Sequence, residues 1–214
     1  MNTLLLRLAA PIQSWGAESK FERRATGREP SKSGVLGMLA AALGRNRDES
    51  INDLAELKFG VRVDKAGQIM RDFHTARPQN SKNSYITQRY YLEDAVFLIG
   101  LEGNAAFLHE IDKAILSPYY PIYLGRRSCP PVGKISLGVR SLPLEEALRK
   151  EPSLTENEHG NPAIIITDTD RIGNYRQRDL PISFNPQHRK YKYRYVNAEL
   201  IHYTTHNAFD EVME

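Results

Sequence analysis

The chain has 214 residues, with Lys+Arg 29 against Asp+Glu 26 and a formal charge of +3, which suits one large domain or two small ones around a buried core. Mean hydropathy is −0.50, and the longest apolar run, Gly34 to Gly44, falls far short of the roughly 18 to 20 residues of a bilayer span, so no membrane anchoring is expected. A single cysteine, Cys129, excludes an intramolecular disulfide and any zinc framework of several thiolates, as in a reducing cytoplasm.

The opening Met1-Asn2-Thr3-Leu4-Leu5-Leu6-Arg7 lacks a basic n-region, and Arg7 interrupts its apolar stretch, so it reads as a strand rather than a leader. Leu4, Leu6 and Leu8 fit a central strand that ends where Pro11 removes a backbone donor, with Trp15 as a core aromatic at its exit. A basic loop (Lys20, Arg23, Arg24, Arg28, Lys32) leads into a helix capped by Ser31 or Ser33. Its residues Val35, Leu36, Leu39, Ala42 and Leu43 share one face, and Gly44 ends it. Phe59 to Val63 alternates like a half-buried strand and turns at Asp64-Lys65-Ala66-Gly67, with Ile69 to Thr75 able to return as its hairpin partner. A basic insertion carries Arg71, His74, Arg77, Lys82 and Arg89. Ala95 to Leu101 then resumes as a buried strand, and Asn104 caps a second helix with Phe107, Leu108, Ile111, Ala114 and Ile115 on its apolar side, stopped by Pro118.

This order predicts an α+β fold: a ferredoxin-like βαββαβ unit over residues 1–142, both helices on one sheet face and the opposite face open. Glu145, Glu146, Glu151, Glu156 and Glu158 make residues 143–162 an acidic, solvated connection. Beyond it, a smaller β-rich C-terminal module over 163–214 is expected, with strands at Ala163 to Thr167 and Tyr191 to Val196.

Cations cluster although the net charge is small. Gly125 to Lys134 contains Arg126, Arg127 and Lys134 and no acid, while Arg171 to Tyr195 carries seven Lys/Arg against Asp179 alone. Single-stranded RNA recognition needs cations along phosphates and aromatic faces for unstacked bases, and Gln88-Arg89-Tyr90-Tyr91 and Tyr191-Lys192-Tyr193-Arg194-Tyr195 interleave both. The latter also fits a strand that lays its tyrosines on the core and its cations in water; alternation alone does not choose. Ser31-Lys32-Ser33-Gly34 at the helix N-terminus, with Arg28, suits a phosphate or an ordinary capped helix, and it lacks Walker A spacing. Gly125-Arg126-Arg127-Ser128 offers two guanidiniums and backbone donors to phosphates, or is a solvated turn.

For metal-independent RNA cleavage, His74, Tyr90 or Tyr91, and Lys82 are chemically competent. The remaining histidines show no HExxH spacing, and Asp168 with Asp170 suits turn hydrogen bonds better than a metal, so neither metal nor cofactor is assigned. Cys129 reads as a small packed residue despite the neighbouring arginines.

Three ordered motifs resemble the CasD family: Leu4 to Gly16, Thr26 to Leu39, and Tyr123-Leu124-Gly125-Arg126-Arg127-Ser128-Cys129-Pro130-Pro131. Arg71-Asp72-Phe73-His74-Thr75-Ala76 and Tyr91-Leu92-Glu93-Asp94-Ala95 are similar as well, so the likeness runs over about residues 3 to 142. It implies a RAMP-superfamily protein of the type I-E CRISPR Cascade complex with an RRM-related palm and a protruding thumb at Arg71 to Tyr91. It further implies a grip on the 5′ handle of the CRISPR RNA, with the backbone subunit CasC and the large subunit CasA as neighbours, and target DNA met only through the assembled complex.

On this reading RNA-contacting residues are Arg28, Lys32, Ser33, Gly34, Arg71, His74, Arg77, Arg89, Tyr90, Tyr91, Arg126, Arg127, Ser128 and Lys134. Type I-E systems leave precursor cutting to CasE, so the expectation is a noncatalytic, cytoplasmic RNA-binding subunit. The alternatives are a repeat-specific endoribonuclease using His74, and a scaffold that meets only proteins.

Overall fold

A computed structural model describes residues 1–16, 23–77, 79, 84–155, 163–170 and 173–201. In chain order the elements are β1 (Asn2–Ala9), β2 (Ile12–Gln13), β3 (Arg23–Arg24), α1 (Lys32–Ala42), α2 (Asn52–Ala55), β4 (Lys58–Lys65), β5 (Gln68–Ala76), β6 (Tyr85–Glu93), β7 (Val96–Gly103), α3 (Ala105–Leu116), β8 (Ser136–Arg140), α4 (Leu144–Lys150), β9 (Ala163–Thr169), β10 (Tyr175–Ser183) and β11 (Lys190–Ile201). Seven strands form one sheet in the order β10-β11-β9-β4-β7-β1-β8, every neighbouring pair antiparallel. A smaller sheet joins β2, β6 and β3, with β5 paired to β6.

β1 has a neighbour on both sides and is buried on both faces, which is why it reads as a continuous apolar run. Leu4, Leu6 and Leu8 pack with Val35, Leu36 and Leu39 of α1 and Leu108, Ile111 and Ile115 of α3. Leu5 points the other way, into a second cluster with Leu98, Leu144 and Leu148. Each such side chain contributes about 1.5 to 3 kcal/mol on leaving water. Ser31 caps α1 by accepting from the Gly34 N–H at 3.2 Å, and the Asn104 side chain caps α3 by accepting from Ala106 and Phe107.

The expected open face of the sheet is covered. α4 lies across β4, β7 and β1 and presses Leu144, Ala147 and Leu148 onto them. Gly60 and Gly100, paired across β4 and β7, form the trough beneath: a Cβ there would stand 2.7 and 2.5 Å from leucine methyls of α4. The acids of residues 143–162 conceal this i, i+3, i+4 stripe. Arg62, fully buried beside Asp64 at 2.7 Å, donates to the carbonyls of Leu148 and Pro152 and so ties the end of α4 to β4.

β5 is not the partner of β4. Both edges of β4 are occupied, by β7 and by β9, so the chain turns at Gly67 into a separate hairpin in which β5 pairs with β6 from Gln68↔Glu93 to Ala76↔Tyr85. The C-terminal strands also form no sheet of their own. β9 pairs with β4, from Gly60↔Thr167 to Val63↔Ile164, and β11 and β10 extend the same sheet outward.

Candidate nucleic-acid interface

A cleft of about 750 Å³ opens where α1, the loop after β2, the Gly125 loop and the β10–β11 turn converge. Among the described residues, Arg45, Arg47, Arg126, Arg127 and Arg189 line it and no carboxylate does; Trp15, Tyr120, Tyr123, Phe184 and Tyr191 supply aromatic surface. Ser33 and Gly34 lie on its α1 wall.

The Gly125 loop is shaped by one contact. Gly125 has φ +95°, and a Cβ would fall 1.7 Å from the Ser14 carbonyl oxygen, so no side chain fits there. The Ser14 N–H donates to Leu124 and the Leu124 N–H to Cys129, closing the loop against β1's exit. The Arg126 guanidinium then sits 4.7 Å from the Tyr91 ring centroid and donates through Nη2 to the Arg24 carbonyl at 2.9 Å. Its Nη1 is buried without a partner among the described residues, as is Arg89 Nε. Arg127 and Ser128 are exposed. Burial raises the Tyr91 hydroxyl, yet hydrogen bonds with Ser128 and Arg126 and their positive surroundings outweigh it and hold the phenol below its ordinary pKa. Cys129 is fully buried and its thiol is pushed up by burial, a packed residue.

The structure corrects the role expected of Lys32. Its side chain turns inward, with Nζ 2.8 Å from Asp168 and 2.7 Å from the Leu57 carbonyl, while its N–H donates to Asp179 at 2.7 Å. Arg194 completes the network by binding Asp179, Asp168 and Gln177, with its guanidinium 5.2 Å from the Phe59 ring. The dipole end of α1 thus already holds an internal anion, Asp179, and serves as a capped helix rather than a phosphate cradle. Burial of Arg194 also overturns the reading that sends it to solvent: Arg194 and Val196 face inward, while Tyr193 and Tyr195 are exposed.

Of the expected RNA residues, Ser33, Gly34, Arg126 and Arg127 line the cleft; Tyr91, Arg89 and Ser128 sit behind Arg126. Arg71, His74, Arg77 and Tyr90 lie on or beside the β5–β6 hairpin, where Arg71 stacks 4.6 Å over the exposed Phe73. Arg28 and Lys134 are exposed and outside the cleft lining. His74 pairs with Asp72 on the hairpin. His74 lies opposite Thr87, Tyr90 opposite Arg71 and Tyr91 opposite Met70, so His74 and Tyr90 face opposite sides and Tyr91 stands four strand residues away, about 13 Å. Lys82, like His159, His202 and His206, lies outside the described residues.

Arg45, Arg47, Tyr120, Tyr123 and Phe184 were not singled out by sequence. Arg45 is clamped by Asp53 at 2.6 Å, which holds that carboxyl below its ordinary range. The Tyr119 and Tyr120 N–H groups donate to Ala42 and Ala41 at the end of α1, which fixes the tyrosine pair at the cleft rim. A signal existed in Gly44-Arg45-Asn46-Arg47 and Tyr119-Tyr120, each just past a helix stop. Among the described residues no group of three His, Cys, Asp or Glu could hold a metal, and no helix is long and apolar enough to cross a membrane.

Comparison with known proteins agrees with this architecture. The CasD subunit of the CRISPR system Cascade from Escherichia coli (strain K12) is 38% identical over 172 residues, covering 70% of this chain and 77% of that one. A crystal structure of a Cas protein superposes with a TM-score of 0.78 at 37% identity, covering 94% of this chain and 95% of that one. A chain of a CRISPR RNA-guided surveillance complex does so with 0.79 at 33% identity, covering 92% and 89%. The family model described as CRISPR-associated protein (Cas_Cas5) matches residues 3–197, and the chain belongs to that family.

Proposed function

We propose that the chain is a noncatalytic CRISPR RNA-binding subunit of a type I-E Cascade surveillance complex, holding the 5′ handle and capping the CasC filament beside CasA. The observation that carries this is the cleft: among the described residues it brings five arginines, no carboxylate and aromatic rings onto one concave surface, the combination that grips phosphates and receives unstacked bases. Similarity to a Cascade subunit and to a chain of an RNA-guided surveillance complex supports the assignment. On this reading β8-β1-β7-β4 with α1 and α3 is the ferredoxin-like palm, and the β5–β6 hairpin is the thumb that spaces the first CasC subunit. Target DNA is met only through the assembled complex.

The cleft holds RNA chiefly through Arg47, Arg126, Arg127 and Arg189, because Asp53 already neutralises Arg45. If those four each neutralise one phosphate, log affinity falls with log salt at a slope of about −2.8. The test incubates the protein with 5′-labelled repeat RNA in EDTA and runs native and denaturing gels on the same samples. Shifted, uncut RNA is expected. Cleavage that disappears in His74→Ala would make the endonuclease reading primary, and neither shift nor cleavage would favour the protein-only scaffold.

A further inference from the structure

The β10–β11 pair touches the cleft through Arg189 and Tyr191 but extends beyond it. Farther along β11, Tyr193 is 57% and Tyr195 40% exposed, on the face opposite Arg194 and Val196. The guanidiniums of Arg176 and Arg178 on β10 lie 5.0 and 6.0 Å from the Tyr193 ring, and the register sets Arg176 opposite Tyr195. Two strand residues separate the tyrosines by about 6.6 Å on one face. The acid farther along that face of β11, Glu199, is already paired with Arg149 of α4, which marks where the helix's cover ends.

We propose that this tyrosine pair and its arginines form a second single-stranded nucleic-acid platform, on the sheet face opposite α1 and reached from the cleft around the β10 edge. RNA leaving the cleft past Tyr191 stacks bases on Tyr193 and Tyr195 while Arg176 and Arg178 meet its phosphates. The direction of the path rests on the cleft reading above. Leaving two large rings in water on a sheet face, interleaved with guanidiniums, matches the alternation of base and phosphate in a single strand; an acidic protein surface would engage the cations and leave the rings unused.

The test measures fluorescence anisotropy of end-labelled repeat RNAs of graded length with the full chain, checked by circular dichroism for each variant. Tyr193→Ala with Tyr195→Ala is expected to bind the shortest cleft-filling RNA as wild type does and to lose the added affinity of longer RNAs, about fivefold or more per tyrosine. Tyr193→Phe with Tyr195→Phe keeps the ring faces and retains that gain, while Arg126→Ala with Arg127→Ala weakens every length. An alanine pair that matches wild type at all lengths overturns the platform and leaves the cleft reading standing. Normal binding by the arginine variant, with the long-RNA gain lost in the alanine pair, overturns the cleft instead. Wild-type protein that binds no length overturns both.

Discussion

At Lys32 a charge that looked available to a ligand is consumed by the fold. Removing one member of a buried ionic network leaves the others unpaired, which costs about 3 to 5 kcal/mol. Lys32→Ala should therefore lower the urea midpoint sharply, whereas Arg126→Ala with Arg127→Ala should leave that midpoint near wild type and weaken RNA binding. Parallel urea titrations and gel shifts separate the two effects. Glu29 beside this network has its carboxyl raised, chiefly by burial, against the hydrogen bond from Gln177. Its folded pKa exceeds its unfolded one, so its contribution to stability is fully present below the unfolded value and declines as pH rises through the folded value. Glu29→Gln should flatten that decline, read as a smaller loss of melting temperature between acid and neutral pH. The inward turn of Lys32 was not legible because its partners Asp168 and Asp179 lie far along the chain, and local spacing says nothing about them.

Elements with a single strong period were legible; elements whose burial depends on distant partners were not. β1, α1, β7 and α3 follow from leucine patterning and capping residues, and they form where expected. α4 was hidden because two of its first three residues are Glu145 and Glu146, which draw the eye from Leu144 and Leu148. Deleting the Leu148 side chain should cost about 2 to 5 kcal/mol, since the site is fully buried. Gly100→Ala should destabilise by about 1 to 3 kcal/mol through overpacking against Leu144. Urea midpoints of both variants check the claim; a wild-type midpoint for Gly100→Ala would show that α4 does not rest on the glycine trough. For the cleft, the Gly125-Arg126-Arg127 wall was readable as an acid-free cationic turn, but the opposite wall comes from Arg189 and Tyr191, whose proximity only the sheet order creates.

At the level of the molecule, the acidic stretch suggested a boundary that the sheet does not respect. β9 supplies β4 with its second partner, and Asp168 and Asp179 anchor the start of α1, so a chain cut at residue 155 would expose an edge strand and strand Lys32 without its carboxylate. Such a truncation is expected to aggregate or remain unfolded by size-exclusion chromatography and circular dichroism. A monomeric, folded fragment would restore the two-module division.

The shared sheet also sets an order of events in synthesis. The α1 wall of the cleft leaves the ribosome well before Arg189 and Tyr191, and Asp168, the carboxylate that pairs with the Lys32 amine, also lies far behind α1 in the chain. A nascent chain has half a cleft and an unanswered buried lysine. On the proposed function, RNA is then taken up only after β10 and β11 have been made rather than threaded in while they are still to come, which places loading after the whole sheet has assembled.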